Sequence, residues 1–195
     1  MALVVVYDAC VLYPAPLRDL LLRIALTGLI RARWSDEILD ECFASILHRR
    51  PDLKPEALRR TRELMVRAVP DCLVTGYARL VPSLVLPDPN DRHVLAAGIR
   101  AGAHCIVTKN LKDFPKEELS PYDIEATHPD DFVLGAIDLA PDLMASVVLE
   151  QAASLASPPR SVSDLLRILH AEGMVRTVGR LEALLHEGRH RGKLR

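Results

Sequence analysis

The sequence predicts an α/β fold of three layers, with helices on both faces of a central parallel sheet and a helical extension at the C-terminus. Three observations carry that expectation. Residues 2–7 (ALVVVY) form a continuous apolar, β-type run without alternation, as suits a central strand covered on both faces. Residues 104–108 (HCIVT) form a second, similar run. Around these runs apolar residues recur on a helical period, and strands alternating with helices imply right-handed crossovers and parallel pairing.

Taken in order, the first run ends in Asp8, a carboxylate that would be costly after a buried strand unless paired or bound to a cation. Leu17 to Ile30 repeats leucine and isoleucine on a helical period. Ser35-Asp36-Glu37 then opens a helix with acids in its first turn, where the macrodipole favours them. Glu41 lies past that turn, among Ile38, Leu39, Phe43 and Ile46, so the dipole does not account for it. Lys54 to Val69 reads as a third helix with Pro55 at its first position. Cys72 to Thr75 reads as a second strand, with a poorly patterned linker through Ser83. Asp88, Pro89, Asn90 and Asp91 are start signals for a helix carrying Val94, Leu95, Ala96, Ala97 and Ile99 and stopping at Gly102.

Past the 104–108 run the chain leaves through Lys109-Asn110-Leu111-Lys112-Asp113-Phe114-Pro115. In open α/β sheets ligands sit beyond the carboxyl ends of the strands, which makes Asn110 and Asp113 candidates by position. Tyr122 to Ala126 resembles a short strand, and Pro129-Asp130-Asp131 starts a helix through Leu139. Pro141 opens the next, to about Ala156. Ser157-Pro158-Pro159-Arg160 is the clearest linker. Beyond it, Ser161 and Asp164 make a capping-box-like start, Leu165, Leu166 and Leu169 an apolar face, and Gly173 a stop, before a last helix from about Val175 to His186 and a basic tail.

Half of the 195 residues are hydrophobic, enough for a sizeable core. The first hydrophobic region is broken by Arg18, Asp19, Arg23, Arg31 and Arg33, so no membrane span is expected and a cytoplasmic protein is the reading. Cys10, Cys42, Cys72 and Cys105 are spread out without a C-x-x-C pair and read as reduced thiols. The net charge of −1 conceals a segregation: seven Lys/Arg against three acids over 49–67, and eight against four over 160–195. Such basic surfaces around an acidic centre suit a polyanion held at its phosphates, although solvated helix faces would look the same.

Parallel crossovers bring Asp8, Asp91 and the Asn110 to Asp113 loop toward one crevice. Carboxylates about 4 Å apart repel by roughly 4 kcal/mol per pair at an effective dielectric near 20, so the cluster needs protonation or a divalent cation. With oxygen donors only, Mg²⁺ or Mn²⁺ is the expected ion.

On these residues the chain resembles the PIN-domain ribonucleases, particularly the VapC-type toxins of bacterial toxin–antitoxin pairs. The motifs are the N-terminal strand ending in Asp8, Ser35 and Glu41 in SDEILDE, DPNDRHVLAA over 88–97, and IVTKNLKDFP over 106–115; the resemblance covers about residues 3–132. It implies a PIN-like nuclease domain over residues 1–139 with a helical extension over 140–195, and a metal-dependent hydrolysis of RNA with Asp8, Glu41, Asp91 and Asp113 as catalytic acids. The same acids, with Asp88 and Asn110, would surround the metal. Many relatives carry Asp where this chain has Asn110, and Asp113 would then supply the charge. Asp88 is equally readable as a helix cap, Asn110 and Thr108 as turn and strand residues, and His93 as a surface or satisfied histidine. Arg49, Arg50, Arg59, Arg60, Lys109 and Lys112 are the candidate RNA-backbone contacts. The implied partners are an RNA substrate and a cognate antitoxin protein, and the extension could pack on the core, form a homodimer, dock the antitoxin or add RNA contacts. Rival readings are a non-catalytic RNA- or protein-binding module on the same fold and a receiver-like phosphoacceptor domain.

Overall fold

The computed structural model describes residues 2–155 and 159–192, the last five as backbone only. Strand β1 (Leu3–Tyr7) is followed by helices α1 (Ala9–Leu12) and α2 (Ala15–Leu26), strand β2 (Ile30–Arg33), and helices α3 (Asp36–Arg49) and α4 (Pro55–Ala68). Helix α5 (Arg92–Ala101) leads into β3 (Cys105–Val107), the short α6 (Lys116–Leu119), β4 (Glu125–Thr127) and α7 (Pro129–Leu139). Helices α8 (Pro141–Ser154), α9 (Val162–Ala171) and α10 (Val175–Gly192) complete the chain. The layered fold is therefore as the sequence predicts.

All four strands run parallel in the order β2-β1-β3-β4. The chain passes from β1 to one side for β2 and to the other for β3, so the order reverses between β1 and β3. Such a switch point opens a crevice beyond the carboxyl ends of the two strands. Register places Tyr7 opposite Val107, and the residues that follow, Asp8 and Thr108, therefore emerge side by side.

Two expectations are corrected. The second helix does not reach Ile30: it stops at Leu26, the chain turns through Gly28 at φ +80°, a conformation L side chains rarely adopt, and Ile30–Arg33 becomes β2. Ile30 and Ala32 are buried while Arg31 and Arg33 face outward, a period of two that the preceding leucine repeat conceals. The expected strand at 72–75 is an isolated bridge between Trp34 and Leu73, held by Trp34 N–H to the Cys72 carbonyl at 2.9 Å and Val74 N–H to the Trp34 carbonyl at 2.8 Å. Of the expected linker, Ser157 and Pro158 lie outside the described residues.

One continuous apolar core joins the sheet to the C-terminal helices: Val5, Val6, Leu20, Ile24 and Ile106 share it with Met144, Val148, Leu165, Leu169 and Leu181, all fully or almost fully buried. Burial on that scale is worth about 1.5–3 kcal/mol per large side chain, so α8 to α10 are stabilised as part of the same folded body. Asp130 locks the joint. It sits in the first turn of α7, yet its carboxylate accepts Arg176 N–H at 2.9 Å and Thr177 N–H at 2.8 Å, satisfying orphan amides at the start of α10.

Candidate active site

The switch point opens into a cleft of about 940 Å³ lined by Asp8, Cys10, Glu41, Arg49, Asp91, Lys109, Asn110 and Glu172, among others. Each acid arrives on a different element. Asp8 follows β1 and is 4% exposed; its Oδ2 accepts the Thr108 hydroxyl at 2.7 Å and the Cys10 thiol at 3.0 Å. Thr108, fully buried, also accepts Asn110 N–H at 3.0 Å, and Cys10 Sγ accepts Lys109 N–H at 3.2 Å. The two strand ends are thus laced together around the Asp8 carboxylate. Burial, and then the Asp8 charge, push the Cys10 thiol up to about 12, which keeps its proton in place as a donor.

Asp91 stands at the entrance to α5 without spending its carboxylate on a cap bond. Burial, followed by the charges of Asp8, Asp88, Asp113 and Glu41, raises it from the usual carboxylate range to about 7. The charges of four other sequence-predicted acids therefore bear on Asp91, which holds its proton to higher pH than an ordinary carboxyl group does. Asp88 does not line the cleft. Its Oδ1 caps the turn over Pro89–Asp91 by accepting Asn90 N–H at 2.9 Å. Asp113 also lies off the lining and reaches the site through its charge. Glu41 lines the cleft from α3, and its Oε1 is 2.9 Å from His93 Nε2.

His93, readable from the sequence as a surface or satisfied histidine, is buried against Glu41. It is 4% exposed, with Nδ1 3.7 Å from Glu37 Oε2, beyond hydrogen-bond reach. Burial works against its charged form, but the hydrogen bond and charge of Glu41, with Glu37 and Asp8 behind them, raise its pKa on balance. Its spacing two residues past Asp91 on an apolar helix face was the available signal.

The basic candidates divide. Arg49, at the end of α3, lines the cleft with its guanidinium 5.3 Å from the Tyr13 ring centre, and Lys109, just past β3, lines it too. Arg50 is paired with Asp52 at 2.7 Å and Arg59 with Glu56 at 3.3 Å; these two, with the exposed Arg60 and Lys112, are not part of the lining. The first basic run is thus mostly a surface helix.

Among the described residues no three Asp, Glu, His or Cys side chains stand close enough together to hold a metal ion between them. The donor set is nevertheless oxygen-rich and over-charged, the chemistry that a hard divalent cation answers.

Residues 4–112 match the PIN domain. The chain belongs to the PIN-domain family. This PIN domain is followed by a match of residues 129–183 to the VapC50 C-terminal domain, beginning at the first residue of α7. A Mycobacterium tuberculosis (strain ATCC 25618 / H37Rv) protein named "Putative ribonuclease VapC50" is 41% identical over 105 residues, 52% of this chain and 62% of that relative. The chain so spans less than two thirds of the relative it matches. No solved structure matches it. A PIN domain with its four-stranded parallel sheet also sets aside the receiver-like alternative.

Proposed function

We propose that this PIN-domain protein is a metal-dependent endoribonuclease, taking Mg²⁺ or Mn²⁺, and the toxin of a toxin–antitoxin pair. The observation that carries the reading is the meeting of Asp8, Glu41 and Asp91, from three separate elements, in one cleft at the sheet's switch point. The relative's name and the match to the VapC50 C-terminal domain support it.

In this reading Asp8, Asp91 and the Asn110/Asp113 loop would hold the ion, Glu41 would position the ion or the attacking water, and Asp88 would be an extra acid nearby. A divalent cation bound there would supply a water of lowered pKa and offset charge developing on the phosphate. The chain's own residues do the remainder. Thr108 and Cys10 donate to Asp8 Oδ2 and keep that carboxylate oriented. His93 would hold Glu41 by its Oε1, and Asp91 would offer the ion its carboxylate. Arg49 and Lys109, which both line the cleft, bind backbone phosphates without reading sequence. Residues 140–195 are the helical extension of this nuclease, and RNA and a cognate antitoxin are its partners.

The test is cleavage of a mixed RNA pool with Mg²⁺ or Mn²⁺ and then with EDTA, beside Asp8→Asn and Asp91→Asn. Cleavage that needs the metal and is lost in both variants is expected. Metal-independent cleavage, or variants as active as the parent, would overturn the assignment in favour of a binding module on the same fold.

A further inference from the structure

Lys109 is the first residue beyond Thr108 at the end of the β3 segment, and its Nζ lies 3.1 Å from Glu172 Oε2. Both side chains are about two-thirds to three-quarters withdrawn from solvent, at 27% and 32% exposed, and both line the cleft. Glu172 is not carried there by a loose segment. It caps the C-terminus of α9, where its N–H bonds to the Ile168 and Leu169 carbonyls at 3.1 Å. Gly173 at φ +92° turns the chain immediately afterwards, and Met174 is fully buried. Two residues further on, Asp130 holds the start of α10. The C-terminal helices therefore place one carboxylate, by rigid backbone, against the cation at the end of β3.

The consequence is electrostatic. The charged groups lining the cleft are the acids Asp8, Glu41, Asp91 and Glu172 against Arg49 and Lys109, and one of these two cations is already occupied. Resting on the ribonuclease reading above, we propose that Glu172 sets the affinity for RNA by competing with a substrate phosphate for the Lys109 ammonium. The C-terminal helices thereby tune a site built by the PIN domain. A phosphodiester entering the cleft takes over the ammonium, and the Glu172 carboxylate is left as an unpaired charge beside the strand.

The experiment measures binding of a labelled, mixed-sequence single-stranded RNA to the full chain in EDTA, so that cleavage does not intervene, for the parent, Glu172→Gln, Lys109→Gln and the double variant. Thermal melts accompany it as a check on folding. Glu172→Gln is expected to tighten binding about 2- to 5-fold and to steepen the salt dependence by about 0.7 in log–log slope. Lys109→Gln is expected to weaken binding, and the Glu172→Gln gain to vanish in the Lys109→Gln background. Unchanged or weaker binding by Glu172→Gln, or an equal gain in both backgrounds, would overturn the competition. RNA bound by none of the four would instead remove the ribonuclease reading along with it.

Discussion

The Thr108 hydroxyl donates to Asp8 Oδ2 at 2.7 Å across two neighbouring strand ends 100 residues apart in sequence. The Thr108 hydroxyl oxygen also accepts Asn110 N–H, so one buried hydroxyl ties the β3 loop to the β1 carboxylate. Thr108→Val keeps the shape, removes the donor to Asp8 and strips Asn110 N–H of its acceptor. A loss of about 1–3 kcal/mol is expected from such stranded groups. Thr108→Ser should recover most of it. Denaturant melts of the two variants check this, and equal stability of Val and Ser forms would contradict it.

Asp91 is expected to contribute a pH dependence to the stability of the chain in EDTA. Its folded pKa, about 7, is raised above the unfolded carboxylate value, so the folded state holds the extra proton between the two. Stability from this group is then full below the unfolded pKa and is lost as pH rises through about 7. The melting temperature in EDTA should fall across that window for the parent. Asp91→Asn should remove that component of the fall, melting above the parent at about pH 8 and approaching it at about pH 5. A parent and variant separated by the same gap at both pH values would show that Asp91 does not carry the proton.

Divalent cation should reverse that penalty while the variants lose activity. Anything that binds the folded state alone stabilises by mass action, about 2.7 kcal/mol at a hundredfold excess over Kd. Titrating Mg²⁺ or Mn²⁺ into the EDTA-stripped chain should raise the melting temperature more at about pH 8 than at about pH 6, because loading displaces the Asp91 proton. Asp8→Asn and Asp91→Asn should blunt that rise and abolish RNA cleavage together. A metal-induced shift that survives in both variants would place the cation elsewhere.

The legible parts of this protein are those whose signal is local. The unalternating runs over 2–7 and 104–108, the cap residues around Asp88 to Asp91 and the Ser161–Asp164 capping box each announce their own structure, and the strand-end rule put Asp8 and Asn110 at one crevice. What stayed hidden depends on distant partners. Arg31 and Arg33 read as interruptions because β2 is defined by pairing with β1. Asp130 reads as a first-turn acid of α7, whereas its carboxylate serves α10 from 46 residues away. Glu172 gives no signal at all, since its meaning comes from where α9 ends. His93 looked like any histidine on a helix until α3 supplied Glu41.

That last contact gives the remaining prediction. His93 has no place in the lining of the cleft, yet its Nε2 is 2.9 Å from the Glu41 carboxylate that does line it, and it is almost fully buried. The expectation is that it acts through Glu41 as a positioning residue. His93→Ala removes both the partner and the packing volume. His93→Gln keeps an amide within reach of Glu41 and most of the volume. Removing a partner from a half-buried carboxylate leaves Glu41 to find other rotamers, so the turnover of RNA should fall while binding in EDTA stays near the parent's. A 1 Å misplacement of a catalytic group costs on the order of 10²-fold, which sets the scale for His93→Ala. If the role is positional, Gln should restore a substantial part of turnover at unchanged KM. Should Gln and Ala fall equally in kcat while differing in melting temperature, His93 would be a packing residue and Glu41 would orient itself.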